Sequence, residues 1–267
     1  MIKYVQCRRC FGKNGKVASP GYISEMKFAK DGKTQVEVLT ECECHIKWRN
    51  ACKIEGRAKK AHLNMKWVDF DPEKDYVGER SIFNRNRLIS YTKQSLDPNT
   101  PEEKRNKLKS CVIYVYGPNG TQKTTLANYV GFQFLKANKT VYYCLMNDLI
   151  KLLQKADRDE NTQELLDRIS DVDLLIIDEA FDSKKVTIYK SDWQIPFLDT
   201  FLRNRIQTKN KGILFVSNVD IDEIAENKFS PSIQDLVNRN VALCNGKLYF
   251  EDNYVSSLSK VDVEELF

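Results

Sequence analysis

The stretch GPNGTQKTT (117–125) carries residue types that bind phosphate. It follows the apolar run CVIYVY (111–116) and leads directly into the amphipathic segment LANYVGFQFLKA. A strand, a glycine-containing turn and a helix in this order present free backbone N–H groups at the helix N-terminus, where phosphates bind. We therefore predict a nucleotide site made by Gly117, Pro118, Asn119, Gly120, Thr121, Gln122, Lys123, Thr124 and Thr125.

Within this loop, Lys123 is expected to reach the β- and γ-phosphates of ATP, and Thr124 to bind Mg²⁺ through its hydroxyl. Gln122 stands where the pattern G-x-x-x-x-G-K-[ST] has its second glycine. A side chain there costs roughly 1–2 kcal/mol if the loop requires a positive φ, and little if φ is negative. We expect ATP to bind in either case, because Lys123, Thr124 and the backbone are unaffected. The sequence does not decide how fast ATP is hydrolysed with Gln122 in the loop.

Polar side chains also end two other apolar runs. Asp178 and Glu179 come at the end of the run in LLIIDEA, and Asn218 ends GILFVSN. Ligands of open α/β sheets bind at the carboxyl ends of the strands, so these three side chains should face the phosphate loop. Asp178 is expected to hold Mg²⁺ together with Thr124. Glu179 is the expected general base for the attacking water, and Asn218 is expected to orient that water.

Two closely spaced cysteine pairs near the N-terminus predict a metal site. Their members are Cys7, Cys10, Cys42 and Cys44. Four thiolates on two turns suit tetrahedral Zn²⁺ in a structural role. A redox-active pair and free thiols are the alternatives, and His45 and Cys52 are spare candidate ligands.

The composition is that of a globular chain of 267 residues, 42% hydrophobic and 30% charged. No apolar run approaches the roughly 20 residues that span a bilayer, and the N-terminus MIKYVQCRRC lacks a signal-peptide core. We therefore expect a cytoplasmic protein without a membrane partner.

Residues 1–66 carry 15 Lys+Arg and 6 Asp+Glu, a net charge of +9. This basic head indicates a polyanion or an acidic protein face as partner, or else a solvated basic surface.

The alternation of apolar runs with amphipathic segments predicts the fold. Strands are expected at 111–116, 140–146, 172–178, 212–218 and 241–250. Continuous apolar strands alternating with helices indicate a parallel sheet covered on both faces, which is an α/β domain. An amphipathic helix is predicted at 79–96 and a β-hairpin with an Asp-Gly turn at 21–41.

These elements together resemble the DnaC/DnaI-type AAA+ helicase loaders, most of all the phage-encoded ones. The motifs CRRC…CECH, GPNGTQKTT, LLIIDEA and GILFVSN carry this resemblance, which covers nearly the whole chain. It implies an N-terminal zinc domain that grips a hexameric replicative helicase. It also implies an AAA+ P-loop ATPase domain that binds ATP and single-stranded DNA, oligomerises as a spiral or ring, and hydrolyses ATP slowly until DNA or the partner stimulates it.

The resemblance also fixes the expected domain plan. Its parts are a zinc-binding domain (1–52), a linker (53–78), the ATPase domain (79–250) and a tail (251–267). The 49 residues after Asn218 are too few for the helical lid of many AAA+ proteins, so none is expected. Arg239 in IQDLVNRN matches the arginine that loaders contribute to a neighbour's ATP, although Asn238 replaces the usual aspartate before it. Arg203 and Arg205 are competing candidates for this role, and the alternative for Arg239 is a surface ion pair.

The stretch FDSKKVTIYKSDWQ interleaves basic and aromatic residues after Glu179, as single-stranded DNA sites do. A solvated loop fits this stretch equally well.

Two other functions fit the whole chain. One is an IstB-like ATPase that regulates transposition on duplex DNA. The other is an adaptor or inhibitor of the helicase with a weakly active ATP site.

Overall fold

The computed structural model describes residues 7, 10, 21–29, 32–63, 78–156, 159–187 and 194–251. The chain divides into two compact units, Met1–Arg57 and Ala58–Phe267. The sequence suggested a boundary at 52/53 followed by a linker. In the structure the division falls inside one continuous helix, α1 (Glu43–Lys60). The helix continues past Cys52 because the residues that follow are mostly good helix formers.

In the first unit, the predicted hairpin is present. Strands β1 (Tyr22–Phe28) and β2 (Gln35–Glu41) pair antiparallel, with Tyr22 opposite Glu41 and Phe28 opposite Gln35. Residues 30 and 31 of the expected Asp-Gly turn lie outside the described residues.

The second unit contains a five-stranded parallel sheet, as the sequence predicted. Its strands are β3 (Val112–Tyr116), β4 (Val141–Leu145), β5 (Leu174–Asp178), β6 (Gly212–Ser217) and β7 (Lys247–Tyr249). They are arranged in the order β4-β5-β6-β3-β7. Because β5, β6 and β3 are adjacent and parallel, the residues that follow them meet at one edge of the sheet.

Seven helices follow α1 in the described part of this unit. They are α2 (Glu79–Leu96), α3 (Glu102–Lys109), α4 (Lys123–Lys136), α5 (Met146–Ala156), α6 (Glu160–Asp171), α7 (Gln194–Gln207) and α8 (Pro231–Leu243). A 3₁₀ turn, Ile221–Glu223, precedes α8. The helix predicted at 79–96 is present as α2, but its buried residues are mostly polar and Phe83 is exposed, so the expected apolar face is not the buried one. The polar segment before β3 contains α3, whose first-turn glutamates and last-turn lysines complement the helix dipole. None of the described helices is long and apolar enough to cross a membrane.

The expected strand at 241–250 is wrong for its first half. Residues up to Leu243 belong to α8, and only Lys247–Tyr249 form a strand. The apolar residues Ile233, Val237 and Val241 recur every four positions and are all buried, which is the helical spacing. The apolar run VALC was mistaken for a strand because it was considered without the residues before it.

A cluster of buried aromatic rings lies beneath the site edge of the sheet. Phe181 packs against Phe215 and Phe229 with ring centroids 5.2 Å apart in each case, and against Tyr114 at 6.3 Å. The Tyr114 hydroxyl donates to the Val219 carbonyl at 3.0 Å. The cluster therefore joins β3, β6 and the turn that follows β5.

Arg205 is a structural residue and cannot serve a neighbouring subunit. Its side chain is only 1% exposed, and its guanidinium donates to the Ser170 carbonyl at 2.7 Å and to the Gly212 carbonyl at 2.9 Å. Burial lowers the pKa of Arg205 to about 10. These contacts remove it from the candidates for an intersubunit arginine.

We predict that Arg205→Leu lowers the free energy of unfolding by about 3 kcal/mol, because two buried carbonyls lose their donors. Arg203→Leu is the matched control on the same helix. Arg203 pairs with Asp199 at the partly exposed surface, and its loss should cost less than about 1 kcal/mol. Urea unfolding followed by tryptophan fluorescence measures both. Equal losses in the two variants would contradict the structural role.

Candidate functional site

The site is centred on the carboxylate of Asp178, which ends β5 and is 5% exposed. The hydroxyls of Thr124 and Tyr143 both donate to its Oδ2, at 2.8 and 2.7 Å. The backbone N–H of Glu179 donates to its Oδ1 at 2.7 Å. Three segments (α4, β4 and the turn after β5) therefore converge on one buried carboxylate.

The phosphate loop begins at Gly117, a position that only glycine can occupy. Its φ is 145°, and a Cβ there would lie 2.0 Å from the carbonyl oxygen of Phe250. Phe250 cannot move away easily, because its N–H donates to the Tyr116 carbonyl at 2.7 Å. The start of the loop therefore packs tightly against the backbone of Phe250, directly after β7.

Lys123, the first residue of α4, is buried at 6% exposure. Its ammonium donates to the Gly117 carbonyl at 2.8 Å, to the Thr121 hydroxyl at 3.0 Å and to the Pro118 carbonyl. The lysine thus lies inside the loop that the sequence assigned to phosphates. To bind a phosphate oxygen, the ammonium has to exchange some of these loop oxygens for it.

Gln122 adopts the left-handed conformation, with φ 60° and ψ 17°. The loop therefore has the positive φ for which a side chain is costly. The side chain recovers part of this cost, because its Oε1 accepts a hydrogen bond from the Thr125 hydroxyl at 2.9 Å. Its carbonyl accepts from Leu126 N–H and so begins the hydrogen bonding of α4.

The turn after β5 is held in a strained conformation. Glu179 and Phe181 have φ of 52° and 58°, which non-glycine residues seldom adopt. Between them, Ala180 donates its N–H to the Val216 carbonyl at 2.9 Å and accepts from the Ser217 hydroxyl at 2.6 Å. Burial of Phe181 in the aromatic cluster and these bonds to β6 keep the turn in place.

The Glu179 carboxylate is paired with a lysine. Its Oε1 lies 2.8 Å from Lys185 Nζ, and both side chains are about one-third exposed. The hydrogen bond with Glu179 raises the pKa of Lys185. Lys185 is held nearby by a turn in which its N–H donates to the Asp182 carbonyl.

Asn218 follows β6 directly and is half-buried. Tyr116 and Ser217 are partners in the sheet, so Asn218 lies at the same strand edge as Gly117. The structure thus brings Lys123, Thr124, Asp178, Glu179 and Asn218 to one edge of the sheet.

Arg239 lies outside this hydrogen-bond network. It is exposed on α8 and pairs with Asp235 of the same helix at 2.9 Å. Arg203 links α7 to α8, since it pairs with Asp199 at 3.1 Å and donates to the Ser232 hydroxyl at 2.7 Å.

In the first unit, the four cysteines of the predicted metal site come together. The sulfur atoms of Cys7, Cys10, Cys42 and Cys44 all lie within 4.8 Å of one another and could hold a metal ion. Cys52 does not belong to this group, and the His45 ring nitrogen Nδ1 is hydrogen-bonded to Glu41 at 2.7 Å. The two spare candidates are thus not needed to complete four ligands.

Two residues of the site were not predicted in the roles that the structure gives them. Tyr143 was treated only as part of a strand, and Lys185 was considered only as a DNA contact. Burial and the neighbouring Asp178 raise the pKa of Tyr143, so its hydroxyl remains a donor. The signal available was a tyrosine in a buried strand, because a buried tyrosine hydroxyl usually has a polar partner.

The basic and aromatic segment after the turn is described only in part. Lys184 and Lys185 belong to the described residues, whereas Tyr189, Lys190 and Trp193 lie outside them, as does the tail 252–267.

Comparison with protein families finds one match in the middle of the chain. Residues 106–182, from the end of α3 through the turn after β5, match the model of the IstB-like ATP binding proteins. No similar sequence was found among curated proteins.

Several solved structures of replication proteins have a similar fold. DnaI aligns with a TM-score of 0.50 at 18% identity, covering 71% of this chain and 91% of DnaI. AMPPCP-bound DnaA from Aquifex aeolicus aligns with a TM-score of 0.53 at 18% identity, covering 76% of this chain and 56% of that chain. DnaA bound to AMPPCP and single-stranded DNA aligns with a TM-score of 0.51 at 20% identity, covering 73% and 52%. The second unit therefore has the fold of AAA+ P-loop ATPase domains.

The left-handed conformation of Gln122 gives a stability prediction. Gln122→Gly should be more stable than Gln122→Ala by about 1 kcal/mol, because both variants lose the bond to Thr125 but only alanine keeps a Cβ at positive φ. Urea unfolding measures the difference. The matched pair Asp167→Gly and Asp167→Ala, at an exposed position within α6, should show the opposite order by about 1 kcal/mol. If the glycine variant were the more stable one at both positions, or the alanine variant at both, the result would contradict backbone strain at Gln122.

Proposed function

We propose that this protein is an ATP-dependent loader that binds a hexameric replicative DNA helicase and places it on single-stranded DNA. The observation that carries the ATPase part is the convergence of Thr124, Glu179 and Asp178 beside the phosphate loop, in a segment that matches IstB-like ATP binding proteins. The DnaI-like fold supports the loading part.

The residues of the site suit ATP and Mg²⁺. The Thr124 hydroxyl and the Asp178 carboxylate are 2.8 Å apart, and such oxygen atoms are the ligands that Mg²⁺ prefers. When bound, Mg²⁺ would neutralise charge on the phosphates. Lys123 contributes a positive charge to the same phosphates, and the N-terminus of α4 contributes its backbone N–H groups. Two structures of DnaA with the same fold contain AMPPCP, an analogue of ATP.

In this proposal, Glu179 is the general base and Asn218 orients the attacking water. Glu179 Oε1 is paired with Lys185 Nζ at 2.8 Å, so the ammonium occupies the carboxylate oxygen that would otherwise contact the attacking water. Hydrolysis therefore requires Lys185 to move away from Glu179. A slow basal rate that DNA or the helicase increases is consistent with this pairing.

We propose that the four-cysteine group of the first unit binds Zn²⁺. In a tetrahedral site with Zn–S bonds of about 2.3 Å, sulfur atoms lie about 3.8 Å apart. The observed separations include 3.3 Å for Cys10–Cys44 and 3.5 Å for Cys7–Cys42, so a small adjustment suffices. Four thiolates and one Zn²⁺ reduce the head's net charge of +9 by about two. The basic head is then the part that binds the helicase.

Contact with single-stranded DNA is assigned to the segment after the turn, where Lys184 and Lys185 are basic and accessible. A DnaA protein of the same fold binds single-stranded DNA. A protein with these partners would act in the cytoplasm. A second function, regulation of transposition on duplex DNA, is favoured by the IstB-like match at residues 106–182.

A capture experiment with the full-length chain separates the two functions. The wild-type protein should retain a purified hexameric replicative helicase on affinity resin. Cys42→Ser should weaken this retention at least tenfold, because it removes one of four metal ligands. Cys52→Ser, a cysteine of the same unit outside the group, should behave as wild type. Failure of the wild type to retain the helicase, together with tight binding of duplex DNA, would favour the transposition function.

We propose that Arg239, which is exposed on α8, acts on the ATP of a neighbouring subunit, as in the loaders that the sequence resembles, and mixing subunits tests this role. Lys123→Ala subunits should lose ATP binding but keep the arginine, and Arg239→Ala subunits should bind ATP but lack it. Each alone should be nearly inactive. An equal mixture should regain about a quarter of wild-type turnover, the fraction of interfaces with an intact site and an intact arginine. Arg203→Ala should be active alone. No recovery in the mixture would contradict the assignment of Arg239.

A further inference from the structure

We propose that Tyr143 is a positioning residue that fixes the carboxylate of Asp178 and thereby sets how tightly the site binds Mg²⁺ with nucleotide. This inference rests on the proposed ATP site and adds to it a residue outside the phosphate loop and the β5 terminus. It comes from the geometry around Asp178, where the Tyr143 hydroxyl donates to Oδ2 at 2.7 Å.

The position of Tyr143 in the sheet directs its ring to Asp178. Tyr143 of β4 pairs with Ile176 of β5, and Asp178 lies two residues further along β5. Residues two apart on a strand share a face, so Tyr143 and Asp178 are diagonal neighbours, a separation that an aromatic side chain can reach. The phenol therefore approaches the carboxylate from the adjacent strand.

Tyr143 itself has little freedom to move. Its side chain is buried at 8% exposure, and its backbone N–H donates to the Ala61 carbonyl at 3.1 Å on the open side of β4. Its neighbour Tyr142 is more exposed, and its ring makes an edge contact with His62 instead. Of two successive tyrosines, only Tyr143 reaches the site.

The two oxygens of the Asp178 carboxylate have different hydrogen-bond donors. Oδ1 is held by the Glu179 N–H, and Oδ2 receives both hydroxyl donors. Thr124 is the donor that the proposed function assigns to Mg²⁺, so its hydrogen bond is the one that metal binding disturbs. Tyr143 is not a metal ligand, and its hydrogen bond can hold Oδ2 in both states. Without it, the carboxylate has more rotational freedom and orients the ion less well.

The test is a Mg²⁺ titration of the binding of a fluorescent ATP analogue to the full-length protein. Tyr143→Phe keeps the ring and removes the donor. It should raise the Mg²⁺ concentration at half-maximal binding about fivefold, with binding in EDTA unchanged, because a single hydrogen bond to a charged group is lost. Tyr142→Phe is the matched control and should titrate as wild type. Tyr143→Met also lacks the donor, and it carries the same prediction if Tyr143→Phe does not fold.

The outcomes separate this inference from the proposed function. A wild type whose binding of the analogue responds to Mg²⁺, together with an unchanged titration in the folded Tyr143 variant, overturns the positioning role and leaves the proposed ATP site intact. A wild type that binds no analogue overturns both. A shift of similar size in Tyr142→Phe also overturns the role, because a general effect on β4 would then explain the result.

Discussion

The site depends on keeping one buried carboxylate, Asp178, fully hydrogen-bonded. A buried charge without partners costs several kcal/mol, so its donors are structural requirements of the fold as well as parts of the site. The donors come from α4, β4 and the turn after β5. Thr124 and Tyr143 lie 54 and 35 residues away from Asp178 in the sequence, and the order of the parallel strands brings them to it. The carboxylate therefore links the phosphate loop to the edge of the sheet that ends in Glu179.

Three of the eight described non-glycine residues with positive φ lie around this carboxylate. Gln122, Glu179 and Phe181 all adopt positive φ, and each lies next to a residue or loop of the site. Such conformations cost about 1–3 kcal/mol each and persist only where the surroundings hold them. Phe181 is held by the buried aromatic cluster, and Glu179 is flanked by the bonds of Ala180 to β6. The core beneath the sheet edge thus maintains the strained turn that presents Glu179.

Much of this site was predictable because its signals are local. A strand, a loop with Lys123 and Thr124, and a helix form one continuous stretch, and Asp178 directly follows an apolar run. The role of Tyr143 was not predictable, because it depends on β4 lying beside β5, and strand order does not appear in any local pattern. The φ of Gln122 was likewise undecided by sequence, since a glutamine is compatible with either sign. The strand expected at 241–250 was wrong for a different reason. Its short apolar run is the end of helix α8, and the helical spacing becomes visible only when the residues before the run are included.

The pairing of Glu179 with Lys185 separates nucleotide binding from hydrolysis in the proposed ATPase. Binding uses Lys123, Thr124 and the N-terminus of α4, none of which depends on Lys185. Hydrolysis uses the Glu179 carboxylate, which acts as a base only when it is free to accept a proton. Lys185 belongs to the segment that the proposed function assigns to DNA, and there the phosphates of a bound strand would compete with Glu179 for its ammonium. One lysine that can pair with either partner gives a direct physical route by which a bound strand would increase turnover.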